Sequence, residues 1–122
     1  MNSGRVLVIE DDRYSREMTC HMFTFHQWPA DVAATAEDAL EFLASNQYAL
    51  VVIDLALPGM DGWALLRILK SLPHLAVIPC VAITAYHDTS LARQALQAGF
   101  SAYYPKPLQT SFVPQLRSTF LK

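Results

Sequence analysis

The stretch "VVIDLALPGMDGWALL", residues 51–66, has the pattern that decides the fold. A run of β-branched residues, typical of a buried strand, leads directly to a single carboxylate, Asp54. Pro58, Gly59 and Gly62 follow and predict a tight loop, after which apolar residues recur with the spacing of a helix. The order is therefore strand, sharp turn and helix, with Asp54 either capping the strand end or presented to a ligand.

Strand and helix patterns alternate along the rest of the chain as well. Short continuous apolar runs indicate strands that are covered on both faces, and apolar residues at helical spacing lie between them. The predicted strands are RVLVIE from Arg5, ADVAA from Ala30, LVVID ending at Asp54, IPCVAIT from Ile78 and SAYY from Ser101. The predicted helices run from Tyr14 to about His26, from the cap Thr35, across Trp63 to Leu69, from Asp88 to Gly99, and from Phe112.

Five strands alternating with five helices predict an α/β protein, a doubly wound parallel sheet with helices on both faces and right-handed crossovers. The 122 residues are enough for one compact core, and no linker interrupts them, so we expect one domain over residues 1–122. In folds of this kind, ligands bind beyond the carboxyl ends of the strands.

Composition excludes several classes of function. The net charge is −2 and no basic stripe occurs, which argues against direct binding of nucleic acid. Every long apolar run is broken by Asp, Pro or Gly before it reaches the length of a membrane span. Cys20 and Cys80 form no CxxC pair or metal spacing, so we expect reduced thiols and a cytoplasmic protein.

Chemically active side chains follow four of the predicted strands. Glu10 and Asp11 end the first, Asp54 ends the third, Thr84 ends the fourth, and Lys106 follows the fifth. Each alone has an ordinary structural explanation, such as a cap or a solvated surface side chain. Because the carboxyl ends of parallel strands meet at one edge of a sheet, all five are expected to converge there.

Such a group of acids needs a cation. Two carboxylates about 4 Å apart repel by roughly 4 kcal/mol at an effective dielectric constant near 20. Carboxylates and a carbonyl suit a hard ion such as Mg²⁺, which can also bridge to phosphate oxygens. A carboxylate beside Mg²⁺, a hydroxyl and a lysine is equipped to attack phosphorus and to hold the resulting acyl phosphate.

Four segments occur in order, namely "VLVIEDD", "VVIDLALPGMDG", "AITA" and "GFSAYYPKP". With them the chain resembles the receiver domain of bacterial two-component response regulators of the chemotaxis-regulator type, from Val6 to Leu121. The resemblance implies a flavodoxin-like sheet with strand order 2-1-3-4-5, and a bacterial, cytoplasmic signalling protein.

By this resemblance Asp54 is the phosphoacceptor. Asp11 would bind Mg²⁺ directly, together with Asp54, while Glu10 would act through water. The backbone carbonyl of Ala56 would complete the protein's share of the metal ligands. The expected cofactor is therefore Mg²⁺.

The resemblance also implies roles after the fourth and fifth strands. Thr84 and Lys106 would contact phosphoryl oxygens, and Thr84 would act with Tyr103 as the switch pair. The bond between Lys106 and Pro107 would be a cis peptide. The predicted output surface is built from the fourth and fifth of the predicted helices and the fifth strand.

The expected function is a phosphorylation switch that receives a phosphoryl group from a histidine kinase or a histidine phosphotransfer protein. The domain would catalyse its own phosphorylation and dephosphorylation, yet it would be mainly a signalling module whose downstream effector is unknown. We expect no output domain after the receiver, and the last helix lacks the acid and arginine pattern of dimerising receivers. We expect a monomer or a weak, phosphorylation-dependent dimer.

Two alternatives stay open at this stage. The first is a receiver that works by constitutive protein docking without phosphorylation; such receivers typically lose an acid, the threonine or the lysine, and this chain has all of them. The second is a flavodoxin-like cofactor protein on the same architecture. It would need a phosphate-binding loop after the first strand, where "EDDRYS" would repel phosphate in the absence of a metal.

Overall fold

The computed structural model of the protein describes residues 4–86 and 88–120. Leu121, at the end of the predicted receiver, lies outside the described residues. The strands are β1 (Arg5–Ile9), β2 (Ala30–Ala33), β3 (Tyr48–Asp54), β4 (Cys80–Thr84) and β5 (Ala102–Pro105). The helices are α1 (Arg13–Phe25), α2 (Ala36–Ser45), α3 (Gly62–Ser71), α4 (Pro73–Ala76), α5 (Thr89–Ala98) and α6 (Phe112–Phe120).

All five strands are parallel and lie in the order β2-β1-β3-β4-β5. The predicted order 2-1-3-4-5 is thus confirmed, with β3 in the middle of the sheet. The winding direction reverses beside β1 and β3, because the chain crosses from β2 past β1 to reach β3. Ligand sites in such sheets are expected at this point, beyond the carboxyl ends of those strands.

Both faces of the sheet are buried, which explains the continuous apolar runs. Val51 and Ile53 of β3 belong to an apolar cluster with α2 and α3, and Leu50 and Val52 belong to a second cluster with α1 and α6. Successive side chains of a strand point to opposite faces, so each face receives alternate residues. The fold therefore holds β3 rigidly from both sides, up to Asp54.

Helix boundaries follow local capping chemistry. The carboxylate of Asp12 accepts a hydrogen bond from the backbone N–H of Ser15 and begins α1. Thr35 caps α2 in the same way through the N–H of Asp38, as the sequence predicts. Gly99 ends α5 with φ of 120°, a conformation that residues with a β-carbon rarely adopt.

The prediction of five helices was wrong by one. The additional helix, α4, is a single turn that begins at Pro73, whose ring is compatible with the first position of a helix. Four residues are too few to display an apolar period. Two strands begin later than predicted, β4 at Cys80 rather than Ile78 and β5 at Ala102 rather than Ser101, and β3 begins earlier, at Tyr48.

No helix within the described part of the chain combines the length and the apolar character needed to cross a membrane.

Candidate functional site

Asp54 is the last residue of β3 and is 5% exposed. Its position follows from the central strand, which is hydrogen-bonded to β1 on one side and to β4 on the other. Beyond Asp54, the N–H of Leu55 still donates to the carbonyl of Ile83 at 3.0 Å. The carboxylate is therefore presented from a rigid strand end rather than from a free loop.

Gly62 explains the sharp turn that follows Asp54. A β-carbon at this position would lie 2.5 Å from the carbonyl oxygen of Asp54 and 2.9 Å from the side chain of Ile53. Only glycine lets α3 begin this close to the end of β3. The carboxylate of Asp61 accepts a hydrogen bond from the N–H of Ala64 at 2.9 Å and caps the same helix.

Lys106 joins two of the predicted acids. Its Nζ donates to Oδ2 of Asp54 at 2.9 Å and forms an ion pair with Glu10, which is 1% exposed. The second oxygen of Asp54, Oδ1, accepts a hydrogen bond from the N–H of Ala56 at 2.9 Å. The backbone N–H of Lys106 donates to the carbonyl of Thr84 at 2.8 Å, which anchors the lysine to the end of β4.

The loop between β1 and α1 supplies the remaining acids. Oε2 of Glu10 accepts the N–H of Asp12 at 3.1 Å, so this carboxylate is held at both oxygens. Asp11, between them, is exposed. One carboxylate oxygen from each of Glu10, Asp11 and Asp54 lies within 4.8 Å of the others.

Burial dominates the electrostatics of the group. It raises the pKa of Glu10 to about 7, and the nearby Asp54 carboxylate acts in the same direction, while Lys106 opposes the change. Burial alone would lower the pKa of Lys106, but its hydrogen bonds to Glu10 and Asp54 outweigh this, so the pKa is raised. The lysine is thus firmly cationic, and the acids still exceed it in number.

The donor set fits a hard divalent cation. Three carboxylates converge within a few ångströms, all of them oxygen donors, and the exposed position of Asp11 leaves the group accessible to solvent. A single ammonium does not balance three carboxylates. The predicted carbonyl ligand belongs to Ala56, whose N–H already binds Asp54.

Thr84 and Tyr103, the predicted switch pair, lie on the neighbouring strands β4 and β5. The hydroxyl oxygen of Thr84 is buried at the end of β4 and accepts the N–H of Tyr86 at 3.1 Å. Tyr103 is half-buried on β5 and packs against the apolar cluster that contains α2 and α3. Burial and the charge of Asp88 raise its pKa. The predicted cis peptide at Lys106–Pro107 is present.

Two features of the site were not predicted as such. The guanidinium of Arg16 donates to the backbone carbonyls of Glu10 and Asp11, at 3.1 Å and 3.2 Å. A groove of about 580 Å³ lies beside Lys106, and the exposed side chains of Tyr14 and Met18 on α1 contribute to its wall. The groove could have been found from the sequence, because Tyr14 and Met18 are apolar residues on a side of α1 that is otherwise polar. The sequence gives no comparable indication of the contacts that Arg16 makes.

The doubly wound sheet, with acids and a lysine at its carboxyl edge, defines the class of α/β domain to which the chain belongs. The chain belongs to the response regulator receiver domain family, whose sequence model matches residues 6–116. The membership that the sequence motifs indicated is therefore confirmed.

Individual relatives agree with this membership. The chain is 34% identical over 103 residues to an uncharacterized 14.6 kDa protein of Leptolyngbya boryana, which covers 84% of this chain and 79% of that protein. It is 33% identical over 103 residues to the response regulator MprA of Mycobacterium sp. (strain KMS), covering 84% and 44% respectively. The chain thus spans less than half the length of MprA.

Solved structures show the same fold. A putative response regulator from Chloroflexus aurantiacus superposes with a TM-score of 0.90 at 25% identity, covering 98% of each chain. The receiver domain of a signal transduction histidine kinase from Syntrophus aciditrophicus gives a TM-score of 0.85 at 26% identity, covering 97% of this chain and 89% of that one.

Proposed function

We propose that this receiver domain is a phosphorylation-dependent switch that accepts a phosphoryl group on Asp54. The observation that carries the proposal is the setting of Asp54, a buried carboxylate at a rigid strand end. One of its oxygens is held by the N–H of Ala56 and the other by Lys106. Two further acids lie within 4.8 Å. This is an oriented nucleophile in an electrostatic setting that suits phosphoryl transfer.

The reaction begins when a carboxylate oxygen of Asp54 attacks the phosphorus of a phosphohistidine on a histidine kinase or phosphotransfer protein. A new P–O bond forms while the P–N bond breaks, and the imidazole nitrogen keeps the electron pair and takes up a proton. The product is an acyl phosphate on Asp54. Lys106, which already contacts this carboxylate, stabilises the additional negative charge.

The metal ligands in this proposal are Glu10 through water, Asp11 and Asp54 directly, and the carbonyl of Ala56. Mg²⁺ bound there would neutralise charge that develops on the phosphoryl oxygens. Before phosphorylation, Lys106 is already paired with Glu10 and Asp54. The lysine and the metal would therefore share the same carboxylates.

The output step uses Thr84 and Tyr103, on the neighbouring strands β4 and β5. A phosphoryl group on Asp54 offers a new acceptor to the hydroxyl of Thr84, which lies at the end of the adjacent strand β4. A change at Thr84 frees space that Tyr103 on β5 can use. The surface of α5, β5 and α6 then reports the state of Asp54 to an effector protein.

The groove beside Lys106 supports access of a protein donor. Its wall includes Tyr14, Met18 and Leu108, and Tyr14 is 71% exposed. Exposed apolar side chains next to a reactive group favour contact with a partner surface. In this proposal a donor histidine reaches Asp54 along this rim.

The proposal is tested with acetyl phosphate, a small acyl-phosphate donor, in the presence of Mg²⁺. Intact-mass measurement should show one added phosphoryl group, and the group should be absent from Asp54→Asn. The matched control is Asp61→Asn, which removes an acid from the same loop but keeps a good cap for α3. This variant should be labelled as the wild type is.

If Asp54→Asn is still phosphorylated, another residue is the phosphoacceptor. A wild type that is never labelled, with either acetyl phosphate or a phosphorylated phosphotransfer protein, would contradict the proposal and favour constitutive docking.

A further inference from the structure

We propose that Arg16 is a positioning residue for the metal site, because it holds the backbone of the loop that carries two of the acids. The inference rests on the proposed function and adds a residue to it. Arg16 lies in the first turn of α1 and is partly buried, and its guanidinium donates two hydrogen bonds to backbone carbonyls. Its role is therefore exerted through peptide groups.

Arg16 binds three consecutive carbonyl groups. One guanidinium nitrogen, Nη1, donates to the carbonyl oxygens of Glu10 at 3.1 Å and Asp11 at 3.2 Å. The backbone N–H of Arg16 donates to the carbonyl of Asp12 at 2.8 Å. These contacts direct the three carbonyls toward α1.

This arrangement matters most for Asp11. Glu10 is already restrained by Lys106 and by the N–H of Asp12, and Asp54 is restrained by its strand. The side chain of Asp11 is exposed, so its backbone, rather than side-chain packing, limits the directions in which its carboxylate can point. Arg16 reduces the conformational freedom that Asp11 would otherwise lose on binding a metal.

The charge of Arg16 and its hydrogen bonds to the loop should affect Mg²⁺ affinity in opposite directions. A guanidinium near the acids repels a divalent cation, so removing the charge alone would tighten binding. Removing the hydrogen bonds to the two carbonyls would weaken it, because groups that orient metal ligands commonly account for 10- to 100-fold in affinity. The sign of the change in Mg²⁺ affinity therefore tells the two roles apart.

Arg13 provides a matched control on the same helix. Its Nε pairs with Glu17 at 3.1 Å, and both side chains are exposed. Arg13→Gln removes the same formal charge as Arg16→Gln, within one turn of the same helix. It leaves the carbonyl contacts of the loop in place.

The experiment titrates each purified variant with Mg²⁺ alone and follows amide chemical shifts. Arg16→Gln should bind Mg²⁺ roughly ten-fold more weakly than the wild type, whereas Arg13→Gln should bind equally or more tightly. Arg16→Lys keeps the charge but lacks the planar fork of the guanidinium, and its dissociation constant should lie between those of wild type and Arg16→Gln. At saturating Mg²⁺, Arg16→Gln should regain most of the wild-type rate with acetyl phosphate.

Arg16→Gln that binds Mg²⁺ as tightly as Arg13→Gln, or Arg16→Lys with wild-type affinity, would overturn the proposal. If Arg16→Gln does not fold, the comparison of Arg16→Lys with the wild type still tests the proposal. Arg16→Lys keeps the positive charge and changes only the geometry of the hydrogen bonds. In both cases a wild type that still binds Mg²⁺ and is phosphorylated leaves the proposed function intact. A wild type without Mg²⁺ affinity would remove both.

Discussion

Two clusters at opposite ends of the same sheet pair carboxylates with a cation, and they differ in almost every other respect. The carboxyl-end cluster consists of Glu10, Asp11, Asp54 and Lys106. The amino-end cluster consists of Arg5, Asp31 and Tyr48, from β1, β2 and β3. In the second cluster Asp31 accepts Arg5 Nη2 at 2.6 Å and the hydroxyl of Tyr48 at 2.7 Å.

Burial and charge balance separate the two. In the carboxyl-end cluster, three acids face one lysine, and Glu10 and Asp54 are almost completely buried. In the amino-end cluster one acid faces one guanidinium and one hydroxyl, and the Arg5 side chain is 47% exposed. The first cluster has an excess of negative charge, while the second is balanced.

The pKa values respond in opposite directions. The hydrogen bond from Arg5 lowers the pKa of Asp31. Burial raises the pKa of Glu10 to about 7, despite the ion pair with Lys106. The partners of Asp31 thus stabilise its ionised form, as expected for a structural ion pair. Glu10 remains costly to ionise, because the positive charge around it is too small to offset its burial. This difference supports the proposed cation site at the carboxyl-end cluster.

The largest expected effect comes from removing the cation of each cluster. Lys106→Met leaves two buried carboxylates without their shared ammonium, and we expect it to lower the free energy of unfolding by about 3 kcal/mol without Mg²⁺. Arg5→Met removes an exposed ion-pair partner and should cost less than about 1 kcal/mol. Urea unfolding of the two variants measures both values.

Mg²⁺ sharpens the same comparison. It should recover part of the stability of Lys106→Met, because a cation that binds only the folded state stabilises it. The difference in unfolding free energy between Arg5→Met and the wild type should not change when Mg²⁺ is added. Equal losses in the two variants, or a loss that Mg²⁺ does not reduce, would contradict the distinction between the clusters.

The sequence was sufficient to predict the carboxyl-end cluster because its members follow strands. Each acid or hydroxyl ends an apolar run, and parallel strands bring those ends to one edge. The positions of Glu10, Asp54 and Thr84 therefore followed from period and order alone. The roles given to them came from the resemblance to a family, and they stay predictions.

The amino-end cluster and Arg16 could not be predicted in this way. Arg5, Asp31 and Tyr48 meet across three strands, so their contact depends on the register that pairs Arg5 with Tyr48. The contacts of Arg16 depend on how far a long side chain reaches back to peptide carbonyls, and no periodicity encodes that. Gly62 was visible as a turn residue, but its closeness to Asp54 requires coordinates.

Neutralising one acid in each cluster should change stability and Mg²⁺ affinity in contrasting ways. Asp11→Asn relieves repulsion, so the folded state should be unchanged or slightly more stable without Mg²⁺. The same variant should bind Mg²⁺ at least about ten-fold more weakly, which corresponds to about 1.4 kcal/mol. Asp31→Asn should lose stability and keep the Mg²⁺ affinity of the wild type.

Asp12→Asn is the control for charge next to Asp11. It removes an adjacent acid, and asparagine caps α1 as well as aspartate does. Its Mg²⁺ affinity should remain within a small factor of the wild type in the same titration. If Asp11→Asn and Asp12→Asn weaken Mg²⁺ binding equally, the effect is one of overall charge and Asp11 is not a ligand.

The smallest expected effect is the pH dependence of the amino-end cluster. Asp31 has a lowered pKa in the folded state, led by its hydrogen bond from Arg5, so its contribution is complete above the unfolded value of about 3.9. The contribution decreases as the pH falls through the folded pKa. Because the pair is solvent-exposed, it amounts to less than about 1 kcal/mol.

Other carboxylates titrate in the same range, so the measured quantity is the difference in unfolding free energy between wild type and Asp31→Asn, in which their contributions cancel. This difference should be constant between pH 7 and pH 5 and should shrink toward pH 2. A difference that stays constant down to pH 2 would show that Asp31 contributes by shape alone, and that the charge balance assigned to this cluster does not stabilise the fold.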